Sequence, residues 1–192
     1  MSLFVKYYFL SIFFIFLTLN AGAQDFWRLR YFLPSSSETE IVRESKKDKV
    51  KLNTYGNSGN LIFANGVGLG YNTLYKHGTW EGVYYKFKNH SLDLSYTLGN
   101  TLSFTFGAGR IINGEGELTY NGKNFVTERS IGESFFLDLG LPFLGGEFII
   151  RFRQNFTKFN NFQTQIDEES IVLEDSVKLI SREVDAGLGF LF

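Results

Sequence analysis

Few side chains in this sequence can do catalytic chemistry. His77 and His90 are its two histidines, and it has no cysteine. His90 adjoins Ser91, with Asp93 two residues further on, so the residue types of a nucleophile–base–acid relay fall within four positions. Such a relay needs its histidine and serine on one face. Side chains alternate across a strand, so Ser91 and Asp93 share a face, while His90 is expected in a short external connection away from it. No catalytic site is therefore expected, and the chain is read as non-enzymatic. Two histidines give no metal-ligand set, so neither metal nor cofactor is expected. Gly66-Val67-Gly68-Leu69-Gly70 has glycines but no helix signal after it, unlike a dinucleotide fingerprint. What remains is buried charge. Arg28, Arg30, Lys86, Arg151 and Arg153, with Asp93, Asp138, Glu183 and Asp185, recur within segments that are otherwise apolar.

The elements that position these charges are strands. Leu92, Leu94, Tyr96 and Leu98 alternate with Ser91, Asp93, Ser95 and Thr97; Gly99-Asn100 follows as a hairpin signal. Leu102, Phe104, Phe106 and Ala108 then alternate with Ser103, Thr105, Gly107 and Gly109. The same period runs through Phe135 to Leu141, Phe148 to Phe152 and Val184 to Phe192. One face is almost wholly Leu, Phe, Tyr, Ile and Val; the other is small, polar or charged. Glycine on the polar face (Gly107, Gly109, Gly187, Gly189) suits the crowded interior of a narrow barrel better than a solvated surface.

Composition agrees. The 192 residues include 22 Phe, 20 Gly and 2 Pro, and the formal charge of −1 argues against bulk attraction to nucleic acid. Residues 1–23 read as a cleaved signal peptide, with Lys6 ahead of an apolar run and Ala21-Gly22-Ala23 as the cleavage site. Residues 24–192 are then one domain.

Strands are predicted at 26–33, 61–75, 80–88, 91–98, 101–111, 131–142, 147–156 and 181–192. An even number of strands, each about 9–11 residues long, fits a closed antiparallel up-and-down transmembrane β-barrel. Short turns are expected at 76–79, 99–100 and 143–146, beside both termini. Long extracellular loops are expected at 34–60, 112–130 and 157–180, with Asn121-Gly122 turning a protruding hairpin. Inward parity gathers the nine charges named above into a lumen network, with Glu183 and Asp185 lying between arginine-bearing strands. Trp27, Tyr31, Tyr71, Tyr75, Trp80, Tyr85 and Phe156 fall near strand ends as interfacial aromatics.

The terminal Gly187-Leu188-Gly189-Phe190-Leu191-Phe192, together with the alternation, resembles the small eight-stranded bacterial outer-membrane barrels of the OmpX, OmpA-barrel and OmpW type. The resemblance implies an all-β barrel in the outer membrane of a Gram-negative cell. It implies a C-terminal assembly signal at Leu188, Phe190 and Phe192, read by the barrel-assembly machinery. The other expected partners are outer-membrane lipids, lipopolysaccharide and phospholipid; a monomer is expected, with any surface ligand left open. The function expected is that of a membrane scaffold or surface-contact protein with a lumen plugged by salt bridges. The alternatives are a narrow gated pore and a lipid A-modifying enzyme.

Overall fold

The computed structural model describes residues 27–43, 46–99, 102–166, 169–173 and 176–192. The signal peptide expected at 1–23 lies outside them, as does Asn100 of the expected turn. The strands are β1 (Arg28–Arg43), β2 (Lys46–Val50), β3 (Asn53–Ile62), β4 (Val67–Trp80), β5 (Val83–Leu98), β6 (Ser103–Tyr120), β7 (Lys123–Thr127), β8 (Ser130–Phe143), β9 (Gly146–Phe159), β10 (Phe162–Ile166), β11 (Glu169–Leu173) and β12 (Val177–Leu191).

Eight of them close a ring in the order β1-β3-β4-β5-β6-β8-β9-β12, all pairs antiparallel, with β12 returning to β1. Closure leaves these staves no free edge. Trp27 and Phe192 tie the chain ends together through reciprocal backbone hydrogen bonds of 2.7 and 3.1 Å. The termini end of the barrel also carries the short connections at 63–66 and 144–145 and the ends of β5 and β6 at Leu98 and Ser103. At the distal end the sheet continues past the ring: β7 pairs with the far part of β6, β10 with β7, and β11 with β10, while β2 folds onto β1.

The number of barrel strands matches expectation, but two boundaries do not. Residues 83–98 are one strand, β5, and no turn forms at 76–79 beside the termini: β4 runs on to Trp80 and turns at Glu81-Gly82, both with positive φ (48° and 76°), at the distal end. The strand expected at 61–75 is divided by the turn at 63–66 between the end of β3 and the start of β4. The second barrel strand, β3, lies mostly in the segment expected as loop 34–60. Its outward positions include Asn57 and Gly59, so no apolar alternation betrays it. Gly59 is flanked in register by Tyr31 and Tyr71, which bracket the missing side chain. The segments 112–130 and 157–180 likewise hold sheet: the far end of β6 with β7, and the far end of β9 with β10, β11 and the start of β12. The protruding hairpin at Asn121-Gly122 is present, with φ of 48° and 75°, as a type I′ turn requires.

Two irregularities shift parity along the staves. β1 slips between Pro34 and Ser36, so Arg28, Arg30 and Phe32 point inward below the slip and Thr39 and Ile41 above it. Opposite His90 and Ser91, β6 bulges at Ile112, and its inward positions pass from Ile111 to Gly114. Each bulge keeps one continuous strand facing the same interior.

Candidate functional site

Outside, the termini half of the barrel is a belt of Leu33, Leu69, Leu92, Phe104, Leu137, Leu141, Phe148, Ile150 and Phe152; Leu137 is 62% exposed. Inside, the same half holds charge, and Arg30 and Arg151 are 0% exposed. Strand alternation that puts large apolar groups outside and ionised groups inside describes a barrel whose surrounding solvent is hydrocarbon.

The lumen charges are paired in tiers. Nearest the termini, Arg30 grips Glu147 through Nε (2.6 Å) and Nη2 (2.9 Å), while Arg28 Nη1 reaches the same carboxylate at 3.2 Å. Ser103 donates to Glu147 at 3.0 Å, so both Glu147 oxygens have partners. One tier further, Arg151 places its fork on Asp138 with bonds of 2.7 and 2.9 Å and donates to Ser58 at 3.2 Å. Its guanidinium lies between the rings of Phe32 and Phe136, 3.6 and 4.2 Å from their centroids. Arg153 pairs with Asp93. Beyond it, Lys76 donates to Glu183 at 2.7 Å and to Ser37 and Thr39 at 3.1 and 3.3 Å.

Glycines make this density possible. A Cβ at Gly187 would stand 2.5 Å from the Phe32 ring, and one at Gly107 2.2 Å from the Phe136 ring. These two positions make room for the rings that clamp Arg151.

Above Lys76 and Glu183 the interior changes character. Ile41, Val50, Leu52, Val83, Tyr85, Phe87, Phe159, Phe162, Val177 and Leu179 form one buried apolar cluster, with Trp80, Leu118 and Phe125 packed against it. The exterior at this level is charged: Lys86 pairs with Glu117 at 3.3 Å and Lys88 with Glu115 at 3.7 Å. Lys49 donates to Glu38 at 2.9 Å, and that bond holds the Glu38 carboxyl below its ordinary pKa and the Lys49 ammonium above its own.

Eight of the nine lumen charges expected from sequence point inward: Arg28, Arg30, Asp93, Asp138, Arg151, Arg153, Glu183 and Asp185. Lys86 does not. It lies on the outward face of β5 because Val83, Tyr85 and Phe87, whose apolar parity suggests lipid, fill the distal interior instead. Tyr85 is accordingly buried rather than interfacial, and Trp80 packs on the same core. Trp27, Tyr31, Tyr71 and Phe156 are exposed outward, and Tyr75 stacks on Tyr55 at 4.9 Å. Glu183 and Asp185 lie opposite Arg153 and Arg151 in register, yet neither is their hydrogen-bond partner. The arginine forks turn instead to Asp138 and Asp93; Glu183 takes Lys76, and Asp185 Oδ1 has no hydrogen-bond partner.

The sequence reading missed Lys76 and Glu147. Lys76 fell in a segment read as a turn. Glu147 follows a Gly-Gly pair at a strand start, where a carboxylate reads as solvated.

His90 is not in a turn but in the middle of β5, facing outward, with Tyr71 Oη 2.6 Å from its Nδ1. Ser91 and Asp93 face inward, so the three residues do not converge. Leu188 and Phe190 face outward on the last strand, and Phe192, just past its end, is exposed as well.

No family model and no curated sequence matches the chain. Among solved structures it is similar to Neisserial surface protein A, with a TM-score of 0.59 and 12% identity over 89% of this chain and 99% of that one. The chain has the fold of the small outer-membrane β-barrels. The barrel is also similar to Ail, the attachment invasion locus protein of Yersinia pestis (TM-score 0.53, 13% identity, 87% of this chain, 100% of that one). A third similar structure is outer membrane protein AlkL, determined in DMPC lipid bilayers (TM-score 0.50, 9% identity, 89% of this chain, 92% of that one). At these identities the likeness is one of fold, and the barrel's role has to be argued from its own side chains.

Proposed function

We propose that this protein is an integral barrel of the bacterial outer membrane, exported by residues 1–23, that works through its distal surface and not through its lumen or by catalysis. The observation that carries the reading is the double closure of the interior. In the termini half, Arg151 is clamped between Phe32 and Phe136 and forked onto Asp138. In the distal half, an apolar core anchored by Phe87 and Phe159, ring centroids 4.7 Å apart, fills the same axis. An ion crossing the barrel would have to break a desolvated ion-pair tier and then enter a dry apolar one, and each is a barrier on its own. The distal sheet, by contrast, offers the β6–β7 and β10–β11 pairs and a charged exterior, which suits contact with other molecules. That role agrees with neighbours described as a surface protein and an attachment protein. Leu188, Phe190 and Phe192 serve as the signal read during assembly.

Planar-bilayer recording tests the closure. The wild-type barrel is expected to be electrically silent, and Arg151→Ala alone is expected to stay silent because the distal core still seals. Discrete conductance in the wild type would replace this reading with a narrow pore. A changed lipid A mass on expression would replace it with an enzyme.

A further inference from the structure

The outward cations of the distal half differ in whether they are compensated. Lys49, Lys86, Lys88 and Arg182 each sit within 3.7 Å of a carboxylate. Lys158 and Lys178 have no carboxylate partner among the described residues. They are direct cross-strand partners on β9 and β12, both facing outward, with Ile131 and Val42 as their neighbours in register. Like charges directly opposed on an antiparallel pair destabilise it. The carboxylates one step below face other cations: Glu133 is opposite Arg110 in register, and Glu40 is 3.7 Å from Arg182.

The surface under the lysines is amphipathic. Descending β8, β9 and β12 from the row of Ile131, Lys158 and Lys178, the outward positions are Glu133, Phe156 and Ile180, then Phe135, Gln154 and Arg182, and then the belt at Leu137, Phe152 and Val184. Ile131 and Phe156 are exposed. From Phe152 to Lys158 the strand rises roughly 20 Å before tilt, and a lysine stem reaches back several ångströms, which sets the ammoniums over the headgroup layer.

We propose that this face of the barrel binds the phosphate of an anionic membrane lipid. Lys158 and Lys178 take the phosphate, and Ile131, Phe156 and Ile180 pack on the apolar part just beneath it. The proposal rests on the barrel being membrane-embedded. It predicts a lipid held on one side, at β8–β9–β12, and none on β5–β6, where Lys86 and Lys88 already have partners.

Native mass spectrometry of the folded full chain, released from neutral detergent containing equal phosphatidylglycerol and phosphatidylcholine, tests it. The wild type is expected to retain phosphatidylglycerol roughly 5- to 30-fold over phosphatidylcholine, the scale of one to two lysines beside a phosphate. Lys158→Gln with Lys178→Gln should bring the ratio to about one, and Lys86→Gln with Lys88→Gln should leave it unchanged. A wild-type ratio near one overturns the site. So does a preference that survives the first pair of substitutions or is lost equally with the second. A chain that stays monodisperse with no detergent would instead overturn the membrane reading itself, so the two failures are told apart.

Discussion

Along β5, side chains of one parity face the interior from end to end, yet they belong to two different proteins in chemical terms. Val83, Tyr85 and Phe87 are a water-soluble core, with Tyr84, Lys86 and Lys88 facing out. Asn89, Ser91, Asp93 and Ser95 are a polar lumen, with Leu92 and Leu94 facing out. β12 makes the same exchange between Leu179 and Ser181. The backbone and its hydrogen bonds do not change across that line; the solvent does. Above it apolar groups hide from water, and below it polar groups hide from hydrocarbon. The barrel is thus a soluble sheet core standing on a membrane one, sharing strands.

The sharpest break between the halves should come from the polar one. Asp138 takes both donors of the Arg151 fork and lies 3.4 Å from Arg30. Asp138→Ala would leave two buried guanidiniums short of their counter-charge, and removing one partner of a buried pair costs about 3–5 kcal/mol. Urea unfolding from lipid vesicles measures it. A loss under about 1 kcal/mol would mean that water enters the lumen and the plug is not dry. Trp27 lies at the termini end, packed edge-on to Phe63 at 5.2 Å, and Trp80 lies on the distal core. Fluorescence therefore reports on each half separately.

The apolar half makes the opposite claim. Phe159 is fully buried within 4.7 Å of Phe87, whereas Phe152, seven residues down the same strand, is 58% exposed on the belt. Phe159→Ala should cost about 3–5 kcal/mol, as in any packed core, because the site cannot collapse over the cavity. Phe152→Ala should lose the transfer part only, roughly 1.5–3 kcal/mol, since fluid acyl chains close over the gap. Equal losses in the same vesicle-unfolding assay would say that the two rings meet the same environment.

Period two in the sequence says which residues share a face, and that much was legible: eight lumen charges fall where alternation places them. It does not say which solvent the face meets. Taking every apolar face as lipid-facing turned Tyr85 and Lys86 the wrong way, because β5 crosses from water into hydrocarbon without any break in its alternation. β3 was invisible for a related reason. Asn57 and Gly59 occupy outward positions, and the apolar cover at Gly59 is lent by the neighbouring Tyr31 and Tyr71, a contact that exists only after pairing. The arginines of the plug could be read; their partners could not. Register opposes Arg151 to both Asp138 and Asp185, and only the geometry of the fork and the packing of Phe32 and Phe136 decide between them.

The exteriors offer a smaller and cleaner contrast. Leu137 sits mid-belt between Phe106 and Phe152 in register, and Tyr84 sits outward on the distal half, beside Thr79 and Thr119. Neither is buried by protein, so arginine at either site removes little packing. In water the two substitutions would be equivalent, each within about 0.5 kcal/mol of neutral. With hydrocarbon around the lower half, Leu137→Arg should cost about 2–4 kcal/mol, while Tyr84→Arg stays near zero. Moving the arginine from 137 to 135 should lower that cost, because the guanidinium approaches the level where Arg182 already stands. An equal cost at 137, at 135 and at Tyr84 would remove the boundary between the two halves.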